Sequence, residues 1–286
     1  MATTLHAATA LCEGADLPES EHWHSPSANN WADTVPEQCR TCADSANREH
    51  ASCAVYRILQ SEACRDGQCT SEQGDFWLNW SEGYAIEQST RFKRPLRYIL
   101  DAGSNCWFMV WALEPVIGVE HARLRDSVNF WQVAFEVGTK QLQPPIPESE
   151  IAMIIQPANK RSQHQLHIHV GRLQSGYREL LDGLPAQPDG IEEIRFDGHD
   201  FVVRYLSDLP DQDPLEGVAV FEAAAAMIPN GESAMPLAGV LVARASNGAG
   251  TWVMAAQGLT RRELVVSQPQ ACRFLTGIES KLTPDE

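Results

Sequence analysis

The stretch Arg161-Ser-Gln-His-Gln-Leu-His-Ile-His-Val170 decides the fold and supplies the candidate chemistry. It places three imidazoles within six residues, two of them alternating with apolar side chains. Successive side chains of a β-strand point to opposite faces, so Gln165, His167 and His169 are expected to share one face while the apolar residues between them pack into the core. His164 falls outside this alternation. The pattern predicts a strand with one imidazole-bearing face.

A second strand pattern precedes the first. Ala152-Met-Ile-Ile-Gln156 is mostly apolar, and Pro157-Ala-Asn-Lys160 reads as the turn that joins it to the histidine segment in an antiparallel hairpin. Other strand patterns occur at 84–87, 96–100, 107–113, 201–206, 238–243 and 251–256, and helical patterns at 37–64, 127–142, 177–184 and 219–227. Asp126 is the expected N-cap of the helix over 127–142. The acidic stretch 186–200 is expected to be a linker.

Strands that cluster without regular strand–helix alternation indicate an α+β fold. We expect an antiparallel sheet that carries 165–170 on a central strand, with helices packed against one face. Residues 1–54 are expected to form a poorly ordered, cysteine-containing leader, and residues 55–286 to form one domain. The strands beyond about residue 199 should extend the same sheet, because the last hairpin is apolar on both arms.

The charge distribution bears on the partners. The net charge of −16 repels nucleic acid and anionic membrane surfaces, so no nucleic-acid partner is expected. The window from Ile151 to Arg178 nevertheless contains no acid and four basic residues, and a second basic group lies at 91–97. An acid-free, arginine-rich window favours a small anion such as phosphate, which fits the planar guanidinium fork. The alternative is that these charges are solvated surface groups.

Compartment and cofactors are judged from the termini and the cysteines. No uncharged apolar run is long enough for an integral membrane segment, and the first residues lack the Lys or Arg of a secretory signal. We therefore expect a cytoplasmic protein whose eight cysteines are mostly free thiols. Cys39-Arg-Thr-Cys42 has the spacing of half a zinc knuckle, but no second such pair follows. No metal and no other cofactor are expected.

The paired histidines allow two chemical interpretations. His167 and His169 could be metal ligands, with a third ligand from a distant element. Alternatively, one imidazole is a nucleophile and the other contacts the phosphate under attack. Two strand histidines that face solvent without a function are the third possibility. The nearby Arg161 and the lack of acids favour phosphate chemistry, because a catalytic metal site usually includes a carboxylate.

The motif also carries a resemblance. Gln-x-His-x-His on the second strand of a hairpin resembles the histidine-triad (HIT-like) proteins, and Arg-Ser-Gln-x-Gln-Leu-His-Ile-His is similar to the CDP-diacylglycerol diphosphatase (pyrophosphatase) family of that superfamily. The similarity extends to Tyr56–Cys64, Gly83-Tyr-Ala, Gly118-Val-Glu120, Asn129-Phe-Trp131, Gly198-His199 and the final hairpin. The chain differs from the family at Ala112-Leu113, where Pro-Thr is usual, and the membrane-targeting segment with which members usually begin is not expected here.

The resemblance implies that 55–286 is a HIT-like catalytic domain that hydrolyses a phosphoanhydride in a CDP-diacylglycerol-like substrate through a phospho-histidine intermediate. His167 would attack phosphorus, His169 would contact the developing charge or the leaving oxygen, and Gln165 would orient the nucleophile. Substrate-binding roles are expected for Arg161, Gln163, Gln156, Glu120, His199 and His164. The expected partner is a small anionic or nucleotide-linked substrate, and a homodimer is possible.

Two other functions stay open at this point. The HIT-like scaffold could be repurposed for acid–base chemistry on a small metabolite, as a lyase, cyclase or isomerase, with His167 and His169 as acid and base. The altered Ala112-Leu113 motivates this alternative. A non-catalytic nucleotide-binding module would keep the arginine-rich window but tolerate the loss of His167.

Overall fold

The structure is a computed structural model. It describes residues 129–259 except 159, 162, 189, 210 and 211, together with 84–87, 96–100, 108–112, 116–119, 273–274 and residues 42, 53, 56 and 57. The expected helix over 37–64 and the expected boundary between residues 54 and 55 lie almost entirely outside these residues.

Nine of the strands in the described residues form one sheet, in the order β1-β2-β3-β6-β5-β9-β10-β8-β7. They are β1 (Tyr84–Glu87), β2 (Leu96–Leu100), β3 (Phe108–Ala112), β5 (Ile151–Ile155), β6 (His167–Arg172), β7 (Ile191–Phe196), β8 (His199–Ser207), β9 (Ala238–Arg244) and β10 (Gly250–Gln257). Every neighbouring pair is antiparallel. Two short strands, β4 (Leu142–Gln143) and β11 (Arg273–Phe274), pair separately. The α+β fold with an antiparallel sheet is confirmed.

The histidine strand is central, as expected. β6 pairs with β3 on one side and with β5 on the other, so the predicted hairpin of β5 and β6 is present. In the register of these pairs, Trp111 lies opposite His167, and Ile154 lies opposite His169. The site strand is therefore fixed along both edges by main-chain hydrogen bonds.

The C-terminal strands extend the same sheet through the pairing of β9 with β5. The expected linker over 186–200 is wrong, because Ile191–Phe196 forms the edge strand β7 against β8. Asp197 and Gly198 connect the two strands with positive φ angles of 48° and 81°. An Asp-Gly pair with this backbone is a strong hairpin signal, and the acidic composition of the segment concealed it.

Three helices of the described residues cover the sheet on both faces, whereas the sequence predicted helices on one. α1 (Phe130–Glu136), which continues as a π-helix over Val137–Gln141, and α3 (Val220–Met227) pack on one face in the core that holds Ile168 and Val170. α2 (Ser175–Asp182) packs on the opposite face through Tyr177 and Leu181. The second face also needs a cover, because strands such as β9 and β10 are apolar on both sides.

Helix α1 begins later than expected. The sequence predicted residues 127–142 with Asp126 as the N-cap, but the helix starts at Phe130 and Asn129 caps it by accepting a hydrogen bond from the amide of Gln132. The side-chain nitrogen Nδ2 of Asn129 also donates to the carbonyl of Leu215. This tertiary contact favours Asn129 over the earlier capping candidate. None of the helices in the described part of the chain is long and apolar enough to cross a membrane.

Gly239 allows a close approach beside the site and provides a stability test. A Cβ at Gly239 would lie 2.5 Å from Cβ of Leu259 and 3.2 Å from Cδ of Pro157, the residue that begins the connection to the histidine strand. We expect Gly239→Ala to lower the free energy of unfolding by about 1–3 kcal/mol through overpacking. Denaturant titration measures this change.

Gly183→Ala is the matched control, because its Cβ would meet neighbours at an ordinary 3.4 Å. That substitution should be neutral or slightly stabilising, since alanine restricts the unfolded chain. Equal stabilities of the two variants would contradict the proposed crowding at Gly239.

Candidate active site

His167 and His169 lie on the face of β6 that the alternation predicts. Leu166, Ile168 and Val170 point to the core beneath α1 and α3, and the two imidazoles point to the other face. Only 6% of His167 and 3% of His169 is exposed. Burial in a largely dry environment strengthens the electrostatic contacts of both rings. The interpretation as solvent-facing strand histidines is therefore wrong.

The ring of His167 has a defined tautomer. Its Nδ1 lies 2.8 Å from the carbonyl oxygen of Gln165. Because a carbonyl can only accept a hydrogen bond, Nδ1 carries the proton, and in the neutral ring the lone pair is on Nε2. The same ring stacks on Trp111, with centroids 4.2 Å apart and planes inclined by 26°. His167 thus has one defined nitrogen, Nε2, that carries a lone pair in the neutral ring.

His169 is held by a neighbouring amide. Its Nε2 lies 3.1 Å from Oε1 of Gln156, which directly follows β5. The His169 ring meets the His167 ring edge-on, with centroids 4.9 Å apart. Gln156 was expected to contact substrate, but the structure places it against His169.

Gln165 contacts His167 through its main chain. Its side chain is fully buried and donates through Nε2 to the carbonyl of Ala112 at the end of β3. Two further bonds join the same region, from the amide of Ala112 to Leu166 and from the amide of Leu166 to Val116. These bonds fix the Gln165 carbonyl that orients His167. The contact between Gln165 and His167 is thus made by the main chain, which the sequence did not indicate, and the orienting role stays a prediction.

The connection between β5 and β6 folds inward. The amides of Lys160 and Arg161 both donate to the carbonyl of Pro157, which closes a turn. Arg161 is only 2% exposed, and its Nε donates to Nδ1 of His164 at 3.3 Å. Gln163 is also buried. A buried cation therefore lies on the short connection between Gln156, which contacts His169, and Gln165, which contacts His167.

Two other arginines of the window, Arg172 and Arg178, bond to acidic and main-chain groups outside the connection between β5 and β6. Arg172 forms an ion pair with Glu150, just outside the window. Arg178 donates to the carbonyl of Arg244 and lies 3.8 Å from Asp182. Burial lowers the pKa of the Arg178 guanidinium, and the Asp182 carboxylate opposes that shift. These two arginines therefore have partners of their own, and the side chains of 91–97 lie outside the described residues.

One expected substrate-binding residue, His199, is not brought to the histidines. His199 lies on β8 with its Nδ1 3.2 Å from the carbonyl of Gln257. Strands β5, β9 and β10 separate β8 from β6, a span of roughly 19 Å at the usual strand spacing. Glu120 lies outside the described residues.

A disulfide lies beside the inward-folded connection. Cys42 and Cys53 are bonded to each other, both are buried, and they cluster with Tyr56. Sγ of Cys42 lies 3.5 Å from the carbonyl oxygen of His164. The expectation of free thiols is wrong for this pair, and Cys42 is not available as a thiolate ligand. Nothing in the cysteine spacing singles out this pairing.

Trp111 is the residue that sequence reasoning missed. It belongs to an apolar run, Trp107–Leu113, that reads as an ordinary buried strand. Its contact with His167 depends on the register of β3 against β6, which no local pattern reveals. Among the described residues, no three His, Cys, Asp or Glu side chains are grouped so that they could hold a metal ion.

Comparisons with known proteins point to one family. A family model described as CDP-diacylglycerol pyrophosphatase matches residues 93–270, more than half of the chain. CDP-diacylglycerol pyrophosphatases of Mycobacterium bovis and Mycobacterium tuberculosis are each 36% identical to this chain over 69 residues. The aligned part is 22% of this chain and 26% of each relative, so the chain spans about a quarter of the length of the curated relatives that it matches.

The disulfide provides a test of how the connection is held. We expect the double substitution Cys42→Ser, Cys53→Ser to lower the free energy of unfolding by up to roughly 3 kcal/mol, the entropic value for a closed loop of this length. Amide hydrogen exchange over 161–166 should become faster, because His164 loses a packed neighbour. Mass spectrometry of deuterated peptides measures the exchange rate, and denaturant titration measures the free energy of unfolding.

Treatment with a reductant is the matched control. It should reproduce both effects in the wild-type protein and change nothing in the double variant. Unaltered exchange over 161–166 in the reduced protein would mean that the disulfide does not support the connection.

Proposed function

Because the chain belongs to the CDP-diacylglycerol pyrophosphatase family, we propose that it is a hydrolase that cleaves the phosphoanhydride of CDP-diacylglycerol or of a similar CDP-linked substrate. The observation that carries the proposal is the buried histidine pair on β6, in which the carbonyl of Gln165 holds the proton of His167 on Nδ1. The products would be CMP and phosphatidate, or their counterparts in a similar substrate.

The reaction would take place in two displacements. Nε2 of His167 attacks one phosphorus of the anhydride, a nitrogen–phosphorus bond forms, and the bond from that phosphorus to the bridging oxygen breaks. The bridging oxygen leaves with the electron pair as part of a phosphate monoester. Water then attacks the same phosphorus, the electron pair of the nitrogen–phosphorus bond returns to Nε2, and the water proton passes to solvent. The net reaction consumes one water molecule.

His169 would assist the leaving oxygen. Its ring edge lies against His167, and its Nε2 is held by Gln156. A second imidazole at this distance is placed to contact the charge that develops on the bridging oxygen. Because Nε2 donates its proton to Gln156, His169 would donate to that oxygen as an imidazolium, through Nδ1. A fixed donor aimed at such charge is worth on the order of a hundredfold in rate. Gln156 would therefore act as a positioning residue for His169.

The inward-folded connection would bind the phosphates. Arg161 is buried there, and its guanidinium is oriented by the bond from Nε to Nδ1 of His164. A planar fork held in this way matches the geometry of phosphate oxygens. Gln163, buried in the same connection, would supply an amide donor. His164 would then act through Arg161 and hold its guanidinium.

The disulfide bears on the compartment. Disulfides persist in oxidising environments and are rare in the cytoplasm. The bond between Cys42 and Cys53 therefore supports an oxidising compartment instead of the cytoplasmic location expected from the sequence. The homodimer stays a prediction.

The nucleophile is tested by His167→Ala. We expect the variant to retain less than about 1% of the wild-type kcat, because the route loses the atom that bonds phosphorus. The measurement is CMP release from CDP-diacylglycerol in detergent micelles, with the folded state checked by near-UV circular dichroism. Retention of more than a few per cent of wild-type turnover by a folded variant would overturn the nucleophile assignment.

The phosphate-binding role is tested by Arg161→Met. We expect KM to rise by roughly tenfold to a hundredfold, because a charge-assisted hydrogen bond contributes about 1.5–3 kcal/mol. Arg195→Met is the matched control, since Arg195 lies on the edge strand β7 and is 54% exposed. An unchanged KM for Arg161→Met, or an equal rise for both variants, would contradict the assignment.

A further inference from the structure

Trp111 and His167 form the closest ring pair at the site. They lie opposite each other on β3 and β6, and Trp111 is only 1% exposed. The indole and imidazole centroids are 4.2 Å apart, and the planes are inclined by 26°. His169 meets the same imidazole edge-on at 4.9 Å. The imidazole thus contacts both a flat aromatic face and a second imidazole.

We propose that Trp111 is a positioning residue that fixes the plane of the His167 ring and stabilises the positive charge that this ring acquires when Nε2 bonds to phosphorus. The inference rests on the proposed function, because it assigns a role in the phospho-histidine step. It differs from that function in naming a residue that makes no contact with the transferred phosphoryl group.

The tautomer of His167 determines the charge that its ring acquires during the reaction. The carbonyl of Gln165 keeps the proton of His167 on Nδ1. When Nε2 forms its bond to phosphorus, that proton stays in place, so the ring becomes an N-phosphorylated imidazolium with a formal positive charge. The face of an indole attracts a cation more strongly than the face of any other side chain. The attraction is greatest where water is excluded, as it is at this buried pair.

The orientation of the His167 ring is fixed by two contacts that do not depend on its charge. The hydrogen bond from Nδ1 to the Gln165 carbonyl lies along the ring edge and limits rotation about the Cβ–Cγ bond. The stacking contact with Trp111 limits tilting of the ring out of its plane. Together they fix the direction in which Nε2 points. A nucleophile held in its attacking orientation lowers the barrier without tightening the binding of substrate.

Both arguments predict an effect on kcat rather than on KM. The ring is neutral when substrate binds and is charged only as the nitrogen–phosphorus bond forms. Interactions that strengthen only at that stage raise kcat and leave KM unchanged. A merely structural role of Trp111 in the core would instead lower stability without this selectivity.

Trp131 provides a matched control within the same chain. It is buried to the same 1% exposure, but it lies on α1 and packs against Phe221, with ring centroids 5.4 Å apart. It belongs to the core on the face opposite the histidines. Removal of either indole costs similar packing, but only Trp111 contacts the candidate nucleophile.

The experiment compares Trp111→Leu, Trp111→Phe and Trp131→Leu, assayed on CDP-diacylglycerol at a temperature where all are folded. We expect Trp111→Leu to lower kcat about tenfold to thirtyfold with KM within about twofold of wild type. Trp111→Phe should lower kcat only about threefold, because a benzene ring binds cations more weakly. Trp131→Leu should lower Tm and leave kcat unchanged.

A second readout follows the intermediate. Phospho-histidine survives an alkaline quench, so the fraction of labelled enzyme can be measured at steady state with substrate labelled at phosphorus. We expect this fraction to be smaller in Trp111→Leu than in the wild type, because the charged intermediate loses its aromatic neighbour. If the leucine variant does not fold, Trp111→Phe carries the test through its lower kcat at unchanged KM.

Several results would overturn the inference. One is a kcat for Trp111→Leu no lower than that of Trp131→Leu. Another is a Trp111→Phe variant whose kcat is as low as that of Trp111→Leu, or whose KM rises while its kcat stays unchanged. Failure of the proposed function would be seen in a different result, namely turnover of substrate by the His167→Ala variant. If His167→Ala is inactive and Trp111→Leu is fully active, only the role of Trp111 is wrong.

Discussion

The pairing of β6 between β3 and β5 is the constraint on which the rest of the structure depends. Because side chains alternate along the strand, a slip of one residue would move His167 and His169 into the apolar core beneath α1 and α3 and would move Ile168 and Val170 out of it. Burial of those apolar residues beneath α1 and α3 opposes such a slip. The energy that fixes the histidine face therefore comes from the opposite face of the same strand.

The polar contacts at the site determine which nitrogen of each imidazole is protonated and how each ring is oriented. Main-chain and amide oxygens hold the two imidazoles at Nδ1 of His167 and Nε2 of His169. These oxygens are fixed by strands, since Gln165 precedes β6 and Gln156 follows β5. A site built on the ends of paired strands keeps its geometry when substrate leaves, which is the arrangement that positioned nucleophiles need.

The sequence predicted the features that depend on local periodicity. The hairpin of β5 and β6, the alternating faces of the histidine strand and the antiparallel sheet follow from a period of two and from turn residues. The sequence did not predict contacts set by register or by long-range packing. Trp111 beside His167, Gln156 on His169 and the Cys42–Cys53 pair all join residues from separate elements or segments.

The net charge of −16 is compatible with a candidate phosphate site, because exposed and buried charges act on an anion under different screening. Exposed charges are screened beyond about 8 Å at physiological ionic strength, whereas a buried guanidinium acts on its neighbours in a low-dielectric setting. Arg161 is buried and oriented by His164, whose carbonyl in turn contacts Cys42. The N-terminal disulfide thus adjoins the connection that carries the cation. A segment that composition alone assigns to a leader is, at Cys42 and Cys53, part of the support of the site.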